Sequence, residues 1–438
     1  MSRVNPAVVV QQSIIVQSII VVLLVIFGIS VCQADSWFDV KRRRDQFGKD
    51  FGYFIYPLVG DIPGLGSAYG AGGSVLNMFN TDTDFTAFKV KGDFSASGYT
   101  LLDLNLIKQR LIFDVGYYDY QVAPIQYKRG IDSDKNDYIL PKAQGQYWLG
   151  QLTLSFDQRQ EEAYVRYGNG HGRLLQVLDK NGNEFPAIDT STYYGYFTTL
   201  GFILDYTDDR LDPRRGVRFE TAGNTSSNDD PYRSDYIVMD YNLTGYVPLR
   251  RWDTLAVNVF FSRAHITHQA TTDFETLRQN AGLGCDQIPP GPEQAQCLAT
   301  ERDLIGQRIA DNRYGTATAL GGTQRLRSYD NGRFYAGSSL FYGVEYRWNL
   351  TDERTPFDIY VAKGIRTGIQ LALFAGQGTV ADTLGNLWKD SRTSYGLGFR
   401  LILSGVVIRA DLAWGDEGSK QVIFINYPWS VFSVDNPG

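Results

Sequence analysis

The sequence holds few of the residues on which enzyme and metal chemistry depends. Only three of its 438 residues are histidine and only three are cysteine. His265 and His268 fall on opposite faces of an extended segment, so we expect no shared metal site at these two residues. The sequence also lacks phosphate-binding loops, dinucleotide fingerprints and zinc-ligand spacings. We therefore predict neither an enzyme nor a cofactor.

An excess of basic charge is missing as well. The chain has 42 Lys and Arg against 48 Asp and Glu, a net charge of -6, which gives no reason to expect a nucleic-acid partner. The mean hydropathy of -0.24 excludes a helical membrane protein. It does not exclude a membrane β-barrel, because half of every barrel strand is polar.

One long apolar run is present, near the N-terminus. Ile19–Ile29 has the length of a secretory signal core, with Arg3 before it and small residues leading to Ala34. This pattern predicts a signal peptide over residues 1–34 that is removed after Ala34. The alternative is a membrane anchor over Ile14–Val31.

Two cysteines beyond this run bracket a Pro/Gly-rich segment. Cys285 and Cys297 enclose Asp-Gln-Ile-Pro-Pro-Gly-Pro-Glu-Gln-Ala-Gln. In an exported chain this arrangement predicts a disulfide, with two free thiols as the alternative. The acidic run Asp132–Asp137 lacks the glycine and distal glutamate of a full calcium loop. We interpret that run as an acidic outer loop, with calcium binding as the alternative.

Residues 35–65 form a mixed segment that we expect to be periplasmic. Its basic run, Lys41–Arg44, is interpreted as solvated, although it could also plug a lumen or touch lipid headgroups. From Gly66 to Phe432 the sequence alternates between strands and turns, and residues 433–438 form a short tail. The strands readable from this pattern lie at 66–79, 84–106, 110–122, 146–158, 162–168, 191–206, 216–224, 234–248, 253–268, 338–350, 366–378, 392–403, 406–414 and 419–432.

Alternation within these strands predicts an all-β fold, a transmembrane antiparallel β-barrel in which about 14 strands are readable. Short connections are expected at the periplasmic end, and the long ones, near 123–145, 169–190 and 269–337, face outward. Several aromatic residues near strand ends suit the girdles at the two membrane interfaces: Trp148, Trp252, Trp348, Trp414 and Trp429.

The stretch Gly321–Trp348 begins as a polar, arginine-bearing loop and ends as a strand. In that strand Leu340, Tyr342, Val344, Tyr346 and Trp348 point one way, and Ser339, Gly343, Glu345 and Arg347 the other. In a barrel in lipid the charged face lies inside. A loop folded back into such a lumen could meet Glu345 in a buried ion pair.

This stretch resembles the lid-loop region of BamA/TamA-type outer-membrane assembly barrels, the bacterial surface antigen superfamily. The matching motif is Leu326, Arg327, Ser328 and Tyr329, with serine where the family has glycine. Asp205–Gly216 resembles a periplasmic turn of the family, and Tyr395–Arg400 and Arg409–Ala413 resemble its last strands. The resemblance implies 16 strands and a long lid loop folded inward, which Arg327 pins by contacting Glu345 and Asp411. Residues 35–65 are too short for POTRA domains, so we expect a barrel-only member.

The resemblance implies a cell outer-membrane barrel that assembles or translocates other proteins. Its expected partners are outer-membrane lipids and client outer-membrane or secreted proteins. Absent POTRA domains weaken this prediction, since those domains deliver substrates. The alternatives are a passive pore or surface antigen without assembly activity, and a soluble exported β-protein.

Overall fold

The computed structural model describes residues 40–47, 50–185, 190–227, 230–250, 253–352, 357–403 and 406–429. The predicted signal peptide, the C-terminal tail 433–438 and Trp252 lie outside these described residues. The sequence-based expectations for these three parts of the chain therefore stay predictions.

Within the described ranges, sixteen long antiparallel strands form one closed β-barrel, and three short strands accompany them. Each long strand pairs with the next long strand in the chain, and the last meets the first at Asp61 and Ile423. The long strands are β1 (Gly52–Ile62), β2 (Gly66–Met78), β3 (Thr83–Gly92), β4 (Ser95–Ile107), β5 (Leu111–Val122), β7 (Tyr138–Phe156), β8 (Glu161–Asp179), β9 (Thr192–Thr207), β10 (Gly216–Ser227), β11 (Asp235–Arg250), β12 (Asp253–His268), β13 (Ser338–Asp352), β16 (Thr367–Ala381), β17 (Arg392–Leu403), β18 (Val406–Gly415) and β19 (Gly418–Ile425). The short ones are β6 (Gln126–Tyr127), β14 (Phe357–Ile359) and β15 (Ala362–Ile365).

The two faces of the strands differ as a barrel in lipid requires. Outward-facing Leu373 and Leu397 are 60% and 49% exposed, whereas inward-facing Asn258 and Arg400 are fully buried. Because side chains alternate along a strand, one set of apolar residues covers the outer wall while the polar set fills the lumen. The predicted transmembrane antiparallel β-barrel is confirmed, and so is the strand number that the resemblance implied.

Two strands escaped the sequence prediction. The stretch read as one strand over 84–106 is two, β3 and β4, joined by a tight turn at residues 93–94. Asp93 Oδ2 of this turn accepts a 2.8 Å hydrogen bond from the Ser67 amide of β2. The strand β1 lies within 35–65, so the prediction that this whole segment precedes the barrel was wrong. Its inward residues include Phe54, Tyr56 and Leu58, so β1 is apolar on both faces and lacks the alternation that marks the other strands.

The end of the chain also departs from the prediction. The last strand was read as 419–432, but β19 ends at Ile425. Asn426 and Trp429 have φ values of 77° and 72°, and this left-handed backbone turns the chain into the lumen. Trp429 is 4% exposed and accepts a 2.7 Å hydrogen bond at its carbonyl oxygen from Asn242. It therefore packs inside the barrel rather than in an interfacial girdle.

The connections give the barrel two unlike ends. One end, here the short-turn end, carries tight turns such as 108–110 and 157–160. The other, the long-loop end, carries the insertion 269–337 with the helices α1 (Phe274–Ala281) and α2 (Pro292–Tyr314). The insertion contains the predicted disulfide between Cys285 and Cys297, which is confirmed, with their Cα atoms 5.5 Å apart. Neither of these helices has the length and apolar run needed to cross a membrane.

The basic run lies against a turn at the short-turn end. Lys41 is exposed, as the solvated interpretation expected. Arg43 and Arg44 instead bind the connection between β9 and β10: Arg43 Nη2 donates to Asp212 Oδ2 at 3.0 Å, and Arg44 Nε donates to Asp209 Oδ2 at 2.5 Å. The solvated interpretation was therefore wrong for Arg43 and Arg44, because acidic groups of the turn face them. It was also wrong for Arg42, whose buried guanidinium lies 3.5 Å from Asp205.

Asp212 is a buried acidic residue of this turn. Burial alone would raise the pKa of Asp212, but the guanidinium groups of Arg214 and Arg43 outweigh it and hold that pKa well below its ordinary value. Tyr427, in the inward-turned C-terminal segment, donates to the other oxygen of the same carboxylate at 2.9 Å. Asp212 therefore joins three parts of the chain at the short-turn end.

Candidate functional site

A single loop enters the barrel from the long-loop end, and we call residues 317–337 the lid. Its two arms are held by paired backbone hydrogen bonds between Leu320 and Phe334, at 2.8 and 3.0 Å. The apolar residues of the lid pack against inward-facing residues of the wall and against Trp429. The cluster also contains Ile131, from the connection between β6 and β7. Its lid and wall side chains are Tyr246, Ala256, Phe260, Leu320, Leu326, Tyr329, Phe334, Ala336, Phe341 and Val380.

The structure brings Arg327, Glu345 and Asp411 together in the lumen. Arg327 Nη2 lies 2.7 Å from Glu345 Oε2, and Arg327 Nη1 lies 2.7 Å from Asp411 Oδ2. All three side chains are at most 3% exposed. The lid is thus fixed to β13 and β18 by two charge-assisted hydrogen bonds in a site shielded from water.

Three further arginines join this cluster, and the sequence patterns did not identify them as partners. Arg400 spans both carboxylates, at 3.1 Å from Glu345 and 2.7 Å from Asp411. Arg347 contacts Glu345 at 2.9 Å, and Arg409 contacts Asp411 at 2.9 Å. All three lie on the inward-facing positions of their strands, and this alternation was the feature of the sequence that could have identified them. Four guanidinium groups therefore surround two carboxylates.

Aromatic rings of the wall complete the binding of the lid arginines. The Cζ atom of Arg327 lies 3.5 Å from the ring centre of Phe374, and that of Arg325 lies 3.6 Å from the ring centre of Phe260. At such distances a guanidinium is attracted by the ring as well as by carboxylates. The lid therefore contacts the wall through both charge and cation–π interactions.

The other motif residues also face inward. Leu326 and Tyr329 belong to the apolar cluster, and the Tyr329 hydroxyl donates to the Thr393 carbonyl oxygen at 3.1 Å. Burial raises the pKa of Tyr329 to about 12, so its hydroxyl stays a donor at neutral pH. The motif thus contributes packing and a neutral hydrogen bond besides its charge.

Ser328 stands where the family has glycine, and the opposite strand makes room for it. A Cβ atom at Gly415 would lie 2.3 Å from Ser328 Oγ and 2.8 Å from the Thr393 carbonyl oxygen, so a side chain there would force its neighbours to shift. The backbone amide of Ser328 donates to Ser394 Oγ at 3.0 Å. The side chain of Ser328 is therefore accommodated by the absence of a side chain at Gly415.

The tip of the lid contacts both sides of the β1–β19 junction at the long-loop end. The Asn331 amide donates to the Pro63 carbonyl oxygen, in the turn after β1, at 2.8 Å. On the other side, Arg333 lies 2.7 Å from Glu417, and Lys420 lies 2.6 Å from Asp330. The lid therefore bridges the first and last strands from within the lumen.

The acidic run on the outer loop is engaged with cations of the protein. Asp132 lies 3.6 Å from Arg392, and Asp137 pairs with Lys128. Across the described ranges, no three His, Cys, Asp or Glu side chains are grouped as ligands for a metal ion.

The fold and the lid define a class: a sixteen-stranded transmembrane β-barrel whose lumen is occupied by an inward loop. Searches of protein-family models and of curated proteins found no match. Solved structures do match. BamA from Haemophilus ducreyi lacking POTRA domains 1-3 is 12% identical with a TM-score of 0.46, over 87% of this chain and 70% of that one.

Two further matches carry the name CdiB. The protein from Acinetobacter baumannii is 12% identical with a TM-score of 0.47, over 86% of this chain and 59% of that one. The protein from Escherichia coli is 8% identical with a TM-score of 0.49, over 86% of this chain and 62% of that one. This chain therefore spans less than two thirds of either CdiB chain.

Proposed function

We propose that this chain is an outer-membrane barrel of the BamA/TamA type, which helps to insert or export other polypeptides through the junction between β1 and β19. We call that junction the seam. In the part of the chain that the structure describes, β1 and β19 share a single register position, Asp61 with Ile423. The other edge of β1 pairs with β2 along its whole length, from Gly52 to Ile62. This contrast is the observation that carries the proposal.

A short seam lowers the free energy needed to open the wall. Each ladder hydrogen bond contributes about 0.5–1.5 kcal/mol net in water, and an unmade one is more costly in lipid. A junction with one register position therefore parts at a lower cost than a ladder of ten or more. An opened edge presents unpaired N–H and C=O groups, on which an extended segment of another protein can add as a strand.

The occupied lumen is the observation that disfavours the passive-pore alternative. Arg327, the apolar lid cluster and Trp429 fill the space through which solutes would pass. A pore would need this lid to leave, whereas lateral passage at the seam does not require a continuous water path. The partners that we propose are the outer-membrane lipids around the wall and the client outer-membrane or secreted proteins that pass the seam.

Two measurements test the proposal. Depletion of the protein in its native host should lower the amounts of other outer-membrane or exported proteins in a quantitative membrane proteome. Purified protein in planar bilayers should conduct poorly, and deletion of residues 321–333 should raise the conductance. An unchanged proteome together with a large conductance of the intact protein would instead support the pore.

A further inference from the structure

A hairpin from elsewhere in the chain occupies part of the seam. The strands β14 and β15 belong to the connection between β13 and β16, yet β15 pairs with β1. Tyr53 is opposite Lys363 and Phe54 is opposite Ala362, in antiparallel register. The Ile55 amide donates to the Val361 carbonyl oxygen at 3.0 Å, which extends this pairing by one residue.

The position of the hairpin is explained by the departure of β19. The last strand ends at Ile425, so it pairs with β1 near Asp61 but not near Tyr53. Without a substitute, the first residues of β1 would present unpaired backbone groups at the edge of the sheet, which is costly within a membrane. The hairpin supplies the missing strand at the short-turn end, while β19 supplies it at the long-loop end.

The hairpin is packed like part of the wall. Ala362 and Ile365 are 7% and 1% exposed and belong to one apolar cluster with Phe54, Tyr56 and Leu58 of β1. This cluster explains why the inward face of β1 is apolar: the hairpin and neighbouring strand ends cover it.

The tip of the hairpin is apolar and exposed. Tyr360 is 99% exposed, and its neighbours Ile359 and Val361 are 55% and 45% exposed. Because β15 runs antiparallel to β1, this tip points from the short-turn end along the seam, toward the position where β19 takes over. An apolar tip at a seam in the barrel wall is suited to lipid.

We propose that the β14–β15 hairpin is a resident strand that closes the seam, and that an extended polypeptide must displace it in order to pair with the first half of β1. The incoming partner is therefore an unfolded or extended strand, recognised through backbone hydrogen bonds with the edge at residues 53–55. The biological meaning rests on the proposed function, but the competition for one strand edge can be measured on purified protein.

A glycine allows the hairpin to be weakened selectively. Gly364 has a φ of 70°, and a Cβ atom there would lie 2.7 Å from the Phe51 carbonyl oxygen. Gly364→Ala should therefore loosen the hairpin from β1. Gly385→Ala is the matched control, since a Cβ atom at Gly385 meets no atom within 4 Å.

The first readout is hydrogen exchange of the Tyr53 and Ile55 amides, which face the hairpin edge of β1, in detergent-solubilised, heat-modifiable protein. Gly364→Ala should speed this exchange by about tenfold or more, the equivalent of a lost ladder hydrogen bond or two, and Gly385→Ala should not. Equal exchange in the two variants would overturn the proposal.

The second readout is binding of a fluorescein-labelled synthetic peptide with the sequence of residues 357–366. It should bind Gly364→Ala about tenfold more tightly than the wild type, because the resident strand competes less. A Tyr53→Cys, Lys363→Cys double variant, oxidised to fix the hairpin, should abolish binding, and reduction should restore it. Equal binding to the oxidised and reduced forms would overturn the proposal. These results do not depend on any client, so they stand apart from the proteome test of the proposed function.

Discussion

Substitution of Arg327 or Glu345 should reveal how the lid is held. From the sequence alone, Arg327→Ala is expected to leave both carboxylates without a cation. The structure corrects this expectation, because Arg347, Arg400 and Arg409 still contact them after Arg327 is removed. Removal of Glu345 is the more severe change, since one carboxylate then remains among four guanidinium groups.

The expected magnitudes reflect this asymmetry. Breaking a buried ion pair by removing one partner costs about 3–5 kcal/mol. Arg327→Ala leaves no isolated charge, so we place it near ~3 kcal/mol, which is about a hundredfold in the ratio of open to closed lid. Glu345→Ala belongs near ~5 kcal/mol, because it removes the partner of three arginines. The double variant should cost less than the sum, with a coupling of at least ~1 kcal/mol.

The assay is tryptic cleavage after Arg325 and Arg333, measured beside the temperature midpoint of heat-modifiable gel mobility. The matched control is Arg233→Ala, which breaks the exposed ion pair with Asp230. An exposed pair contributes only about 0–1 kcal/mol, so the control should resemble the wild type. If Arg327→Ala behaves like the wild type, or if the effects of the two substitutions are strictly additive, the ion pairs of Arg327 do not hold the lid in the lumen.

Three further predictions concern the lid, the insertion and the short-turn end. Gly415→Ala should raise tryptic cleavage of the lid, since overpacking against Ser328 costs about 1–3 kcal/mol, whereas Gly245→Ala, with no atom within 4 Å of the added carbon, should not. Cys285→Ser should lower the local stability of the insertion by about 2–4 kcal/mol without unfolding the barrel. Proteolysis near residues 282–298 and gel mobility measure these two effects, and loss of heat-modifiability would contradict the second. Because the pKa of Asp212 is depressed, its contribution is present above an unfolded-state pKa of ~3.9 and is lost only as the pH falls through its lower folded value. The Arg43 segment should therefore resist trypsin at pH 7 in the wild type and become sensitive in Asp212→Asn. Equal cleavage of the two proteins would exclude the contact. Undocking of the segment already at pH 5, seen as binding of the dye ANS, would contradict a depressed pKa of Asp212.

Strand phase was the part of the site that the sequence could predict. A period of two residues assigns Glu345 and Asp411 to the lumen without knowledge of their neighbours. It cannot identify Arg400 as the group that joins them, because that contact depends on how the closed barrel brings β13 close to β17 and β18 although β16 lies between them. The same limit applies to Phe374, whose ring lies under Arg327.

The seam was harder to predict for a different physical reason. The alternation expected of a barrel strand fails in β1, whose inward face is covered by the hairpin rather than by lumen water. The inward turn after Ile425 depends on left-handed backbone at Asn426 and Trp429, which no pattern of polarity reports. The missed strand β1 and the misplaced end of β19 both lie where the wall departs from a regular barrel. The proposed route for client proteins lies at the same place.

The measurement that tests the central claim most directly is a reversible lock across the seam. Asp61→Cys and Ile423→Cys place two thiols at the register position shared by β1 and β19. In cells depleted of the wild-type protein, the oxidised variant should fail to restore the membrane proteome, and a mild reductant should restore it, while a wild-type control is unaffected by the same treatment. Full restoration by the oxidised, cross-linked variant would contradict passage through the seam.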